Sequence, residues 1–231
     1  MSQPIFNQVC LDPTLIDGVY NACDQWCMYC PVTSRCLAYR CSPEIRSGKR
    51  DIYKSLADRL YEGITFYKRR CEAEGTLTPE LDAMLADDLR ARTTVPPVDD
   101  PLERAGARYT RLSHAYLVSR EDYPFEMVWR PSGPTPFEVF AWFHLLIASK
   151  IYRALLSSAA AARGDAGRKH DALISAKVAL IGIDRSLDAL AAMAVDDDAR
   201  LELLGAQLRR VKRELESRFP EARGVVREGL D

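Results

Sequence analysis

The chain is poor in the residues and patterns that announce a catalyst. It has three histidines, His114, His144 and His170. None of them stands in a Glu-x-x-His unit, which excludes the paired ligand motif of a di-iron bundle. No Gly-rich phosphate loop and no Gly-x-Ser-x-Gly turn occurs, so the common nucleotide cradle and hydrolase elbow are also excluded. Excess charge of one sign is lacking. With 32 Lys and Arg against 33 Asp and Glu, the net charge of -1 provides no global attraction to nucleic acid or to an anionic membrane. Period-two alternation is absent, which argues against strands. The longest apolar run, Phe137 to Ser149, is interrupted by Glu138 and His144 and closed by Lys150 and Arg153. It falls short of the roughly 20 apolar residues that span a bilayer. The amino end, Met-Ser-Gln-Pro-Ile-Phe-Asn-Gln, has neither a basic start nor an apolar core. A cytoplasmic location is therefore expected, in which the seven cysteines stay reduced.

What the chain does have is Cys23-Asp-Gln-Trp-Cys27-Met-Tyr-Cys30-Pro-Val-Thr-Ser-Arg-Cys36, four thiols in fourteen residues. Four thiolates complete the usual shell of either zinc or an iron-sulfur cluster. Two other readings compete: buried core thiols on one helix face at i, i+4 and i+7, and redox-paired thiols. Pro31 weighs against the first, because the residue before a proline is pushed out of the helical region and the chain is released to bring Cys36 back. Between metals, an unbroken helix would set Cys23 and Cys30 about 10.5 Å apart along its axis. Zinc needs its sulfurs within roughly 4 Å of one another, so an unbroken helix favours a four-iron cluster, and a helix that unwinds before Cys30 removes the distinction. The two separated Cys-x-x-Cys pairs of short zinc sites are lacking.

Cys27-Met-Tyr-Cys30-Pro-Val-Thr-Ser-Arg-Cys36 resembles the C-x-x-C-P-x-x-x-x-C half-site of the iron-sulfur nucleases of bacterial recombination and CRISPR adaptation. That resemblance implies a four-iron cluster at Cys27, Cys30 and Cys36, with Cys23 in the place of a distant upstream cysteine. The nuclease motifs of that family are absent, so no nuclease activity comes with it. The C-x-x-x-C-x-x-C spacing with Tyr29 is also similar to the radical S-adenosylmethionine signature, whose open iron and alternating strands and helices have no counterpart here. As a whole, the sequence resembles bacterial helical proteins with a Cys-Asp-x-Trp-Cys-x-x-Cys box, which implies no function.

The fold expected is all-α: an N-terminal helical lobe carrying the metal site (1–92), a proline-rich linker (93–101) and a C-terminal helical bundle (102–231). Asp12-Pro13 starts a helix that carries Leu15, Ile16, Val19 and Tyr20 into the box. Arg50 to Glu74 has a helical apolar period at Ile52, Leu56, Leu60, Ile64 and Tyr67 and is stopped by Gly75. Thr78-Pro79-Glu80 opens another helix. Helices follow at Pro101–Arg120, Pro136–Arg163, Arg168–Val195 and Asp197–Phe219. Ser175, Ala179, Gly182, Ser186 and Ala189 make a small-residue stripe, and Leu201, Leu204, Leu208, Val211 and Leu215 make a buried seam. Tyr123 to Pro136 reads as a proline-stiffened aromatic strap.

Residues 35–70 hold ten Lys or Arg against four Asp or Glu, either a docking face or a solvated helix face. Little or no nucleic-acid binding is expected, and no membrane contact. Two function classes remain. One is a non-catalytic metal-cluster protein with a redox, sensing or protein-partner-binding role. The other is an enzyme with a bundle pocket converging on Glu138, His144 and Arg130, where the metal is a structural staple.

Overall fold

The computed structural model describes residues 11–41, 56–91, 99–121, 127–165, 167–193 and 198–231. Among these residues the protein is all helical, with no strand. The helices are α1 (Val19–Ala22), α2 (Leu37–Cys41), α3 (Leu56–Glu74), α4 (Pro79–Ala91), α5 (Pro101–Val118), α6 (Pro136–Ala162), α7 (Gly167–Met193) and α8 (Ala199–Arg218), with three short 3-10 turns. The chain divides into two compact units, Met1–Tyr20 with Pro31–Pro97 and Asn21–Cys30 with Val98–Asp231. This differs from the expected division in one respect that matters for function. The boundary at Pro97 falls inside the expected linker, but residues 21–30, with three of the four box cysteines, belong with the bundle.

In the first unit, the helix expected from Asp12 is not formed. Asp12 does act as a local cap, its Oδ1 accepting from Thr14 N at 2.9 Å, but Ile16 N bonds Arg35 O at 3.0 Å in place of a carbonyl one turn back, and Gly18 takes φ 63°. Only the short α1 follows. Leu37 and Cys41 of α2 pack with Leu15, Tyr20 and Ala73 as the small core of this unit. The Asp12–Arg40 ion pair at 2.7 Å and the Arg35 Nε to Thr14 O bond at 3.0 Å fasten its loops. Gly75, at φ 68°, ends α3 as its missing Cβ allows, and the Thr78 hydroxyl accepts from Leu81 N at the start of α4. Ile64 is buried as the period requires, whereas Tyr67 is largely exposed. Cys10 and residues 42–55 of the basic stretch, Ile52 among them, lie outside the described residues.

The second unit is built on α6. Thr135 and Glu138 form a reciprocal capping box at its start, and Pro136 at the first position is preset for helix. Phe140, Phe143, Ile147, Ile151 and Ala154 are fully buried along it. By length and composition α6 could cross a membrane, but 61% of its most apolar window is buried inside the unit, the pattern of a core helix. The small-residue stripe is the seam where α7 meets α6: a Cβ on Gly182 would stand 2.8 Å from Phe143 Cδ1 and 3.2 Å from Ile147 Cγ1. Only a residue without a side chain admits the two backbones at that distance. The α8 seam from Leu201 to Leu215 is buried throughout, and Asp198 and Asp100 cap α8 and α5 through Arg200 N and Leu102 N.

Candidate metal centre

The backbone around the first three cysteines is not an unbroken helix. α1 stops at Ala22, Gln25 adopts φ 61°, and Cys27–Tyr29 form a single 3-10 turn. A left-handed glutamine costs on the order of 1–3 kcal/mol and persists only where its surroundings impose it. Here Asp24 on one side accepts from Trp26 N through Oδ1 at 3.1 Å, closing a side-chain turn around Gln25. The helix that would have separated Cys23 from Cys30 by about 10.5 Å is therefore absent. With it goes the geometric ground for preferring a cluster over zinc.

Cys30 N donates to Cys27 O at 3.2 Å, so the turn brings these two residues within about 7 Å, Cα to Cα. Cys30 then takes an extended conformation (φ -84°, ψ 126°), as Pro31 demands. The same device recurs one turn later: Cys36 N donates to Thr33 O at 3.2 Å, and Cys36 is also extended. Cys23, Cys27 and Cys30 are half-buried and Cys36 is buried. The first three belong to the bundle unit and Cys36 to the other. Among the described residues, no three His, Cys, Asp or Glu side chains come together as a set that could hold a metal ion.

Sequence reasoning missed the residues between the cysteines, which are what hold this segment on the bundle. Asn21 O accepts from Lys150 Nζ at 2.8 Å, and Asn21 Oδ1 from Arg153 at 3.1 Å. Asp24 O accepts from Trp142 Nε1 at 3.0 Å, and Asp24 Oδ2 pairs with Arg185 at 2.7 Å. Trp26 is stacked on Trp142 with ring centroids 5.1 Å apart and planes 10° from parallel, and meets Phe143 and Tyr29 edge-on. The Tyr29 hydroxyl accepts from Arg130 N at 3.1 Å and donates to Val128 O. Burying an indole removes about 150–250 Å² from water, roughly 4–6 kcal/mol as an upper bound, and an aromatic pair adds about 1 kcal/mol. The half-exposed Asp24–Arg185 pair adds at most about 1 kcal/mol. Trp26 is therefore the main anchor.

Lys150 and Arg153 thus meet position 21 and Arg185 meets position 24, with Arg153 also paired to Asp171 and Arg185 to Asp24 itself.

The residues suggested for a pocket do not come together as one. Arg130 and Glu138 meet at 2.5 Å, with Glu138 also accepting from Thr135 N at 2.8 Å. Burial by itself would raise the Glu138 carboxyl, but the bonds from Arg130 and Thr135 outweigh it and hold the group below its ordinary value. His144 lies six residues further along α6, about 9 Å along the axis and on another face. It is fully buried, with Nδ1 2.6 Å from Ala141 O. No family model, curated protein or solved structure matches the chain.

Proposed function

We propose that Cys23, Cys27, Cys30 and Cys36 together hold one metal centre, a four-iron four-sulfur cluster in preference to zinc, in a non-catalytic protein with a redox, sensing or partner-binding role. The observation that carries this reading is the way residues 21–30 are held. Asn21, Asp24, Trp26 and Tyr29 pin the segment to the bundle at positions that alternate with the cysteines, and a backbone turn links Cys27 to Cys30. A ligand loop fastened to rigid helices at its intervening positions is what a defined coordination shell requires. Cys36 follows Cys30 by six positions, closing its own matching turn.

The preference for a cluster rests on the half-site resemblance and on the missing second Cys-x-x-Cys pair. When bound, such a cluster supplies one-electron chemistry or a structural cross-link, and the potential is set by its surroundings. The chain's own residues orient the thiolates and limit solvent access. An enzyme pocket at Glu138, Arg130 and His144 draws no comparable support, since the first two cap α6 and pin residues 128–130.

Metal analysis and spectra of protein purified without air test the proposal. Four irons and four sulfides per chain, with thiolate-to-iron charge-transfer absorption, are expected. A colourless protein with one zinc would refute the cluster and keep the site, and a metal-free protein with four titratable thiols would sink both.

A further inference from the structure

Cys27 and Cys30 are placed as a pair by one short element. Cys27 opens the 3-10 turn Cys27–Tyr29 and Cys30 caps it, its N–H donating to Cys27 O at 3.2 Å. A 3-10 turn rises about 2.0 Å per residue with three residues per turn, so positions i and i+3 lie about 6 Å apart with their side chains eclipsed on one side. That is the Cα separation a disulfide prefers. Trp26, just before the turn, is buried against Trp142 and Phe143, and Tyr29, within it, bonds Arg130 N and Val128 O. Both flanks of the pair are therefore fixed to the bundle. The other thiols of the box are placed differently: Cys23 lies across the left-handed Gln25, and Cys36 belongs to the other unit. Cys27 and Cys30 are half-buried, open to a small solute as the buried Cys36, Cys41 and Cys71 are not.

We infer that Cys27 and Cys30 form a thiol–disulfide couple, oxidised by small disulfides and reduced by small thiols in the metal-free protein. The inference goes beyond the proposed metal centre and does not depend on it, because a couple needs two thiols and no third ligand beside them. One thiolate attacks a sulfur of the small disulfide, giving a mixed disulfide and releasing one small thiol. The second thiolate then attacks the protein sulfur of that bond, closing Cys27 to Cys30 and releasing the other small thiol. Two electrons and two protons pass from the pair to the small disulfide. The turn holds the second thiol beside the mixed disulfide, so the closing step requires no movement of the bundle. A loaded metal centre would hold the same sulfurs as thiolates, which makes metal binding and disulfide formation exclusive states of one segment.

The test equilibrates full-length protein, stripped with a chelator, in buffers of reduced and oxidised glutathione, then quenches with an alkylating agent and weighs the products. Wild type and Cys23→Ser should each lose one pair of alkylatable thiols without gaining glutathione. Cys27→Ser and Cys30→Ser should instead carry glutathione on the cysteine that remains. The same titration in urea separates a built pair from mere closeness in sequence. The folded chain should close the bond about tenfold or more ahead of the unfolded one, because the turn has already oriented the two thiols. By linkage the bond must then stabilise the folded protein by that same factor, about 1.4 kcal/mol for each tenfold, in urea unfolding of the oxidised and reduced forms. A bond no more favourable folded than unfolded, or one that takes Cys23 or Cys36 in place of either thiol, would overturn the inference. A wild-type protein that closes the bond yet takes up neither iron nor zinc would remove the proposed metal centre and leave the couple. A metal-loaded protein whose stripped form stays reduced in oxidised glutathione would do the reverse.

Discussion

Gly182→Ala probes how tightly the bundle supports the cysteine-bearing segment. The added Cβ would stand 2.8 Å from Phe143 Cδ1 and 3.2 Å from Ile147 Cγ1, and both neighbours are fully buried. Neither can swing away as a surface side chain would. Overpacking of this kind costs about 1–3 kcal/mol, and the first distance is short enough to place it near the upper end. Alanine returns up to about 1 kcal/mol of helix propensity, leaving a net loss of about 2 kcal/mol. For a protein of this size that lowers the midpoint of the bundle's thermal transition by roughly 4–8 °C. Phe143 is also edge-on to Trp26 at 5.9 Å, so its displacement reaches the box, and Trp26 fluorescence should change with stability. Gly205→Ala is the control, because its Cβ meets only the flexible end of Arg209 at 3.3 Å. It should stabilise by up to about 1 kcal/mol. A Gly182→Ala protein that melts at or above wild type would refute the reasoning, since the α6–α7 seam would then have room that the distances deny.

Cys27→Ser and Cys30→Ser should each abolish stoichiometric metal binding by elemental analysis, whereas Cys71→Ser, a change to a buried thiol of α3, should leave metal content intact; full metal content in Cys30→Ser would contradict the site. Asp24→Ala removes the bond to Trp26 N and the pair with Arg185, so denaturant unfolding should show a loss of about 1–2 kcal/mol, with Arg185→Ala losing at most about 1. Glu138 has a lowered carboxyl pKa, so its contribution is fully present above the ordinary value of 4.5 and is lost as pH falls below it through the lowered one. The amides of Val128 and Thr135, which donate to this carboxylate, should lose hydrogen-exchange protection over that acid range, and Glu138→Gln should remove the pH dependence. Protection that persists in acid would show that the carboxylate is not what holds those amides.

Helix by helix, the local chemistry of the chain was enough. Pro101 after Asp100, Pro136 after Thr135, Gly75 beyond Glu74 and the Leu201-to-Leu215 period each act within a few residues, so each could be read without knowing what packs where. The stripe through Gly182 announced a close helix approach for the same reason. Asp12 misled because Ile16 N, which a helix would pair with Asp12 O, bonds Arg35 O at 3.0 Å instead, a partner that local sequence cannot announce. The four thiols and their spacing are also a property of the sequence alone. What only the folded chain decided is where their segment belongs. Trp26 lies against Trp142 and Asp24 against Arg185, across more than a hundred positions of chain. No periodicity encodes such pairs, since their energy comes from burying two particular indoles and matching two particular charges after the helices have assembled. The strained turn at Gln25 follows from that docking, because only a bundle already in place can hold a backbone that the local sequence disfavours.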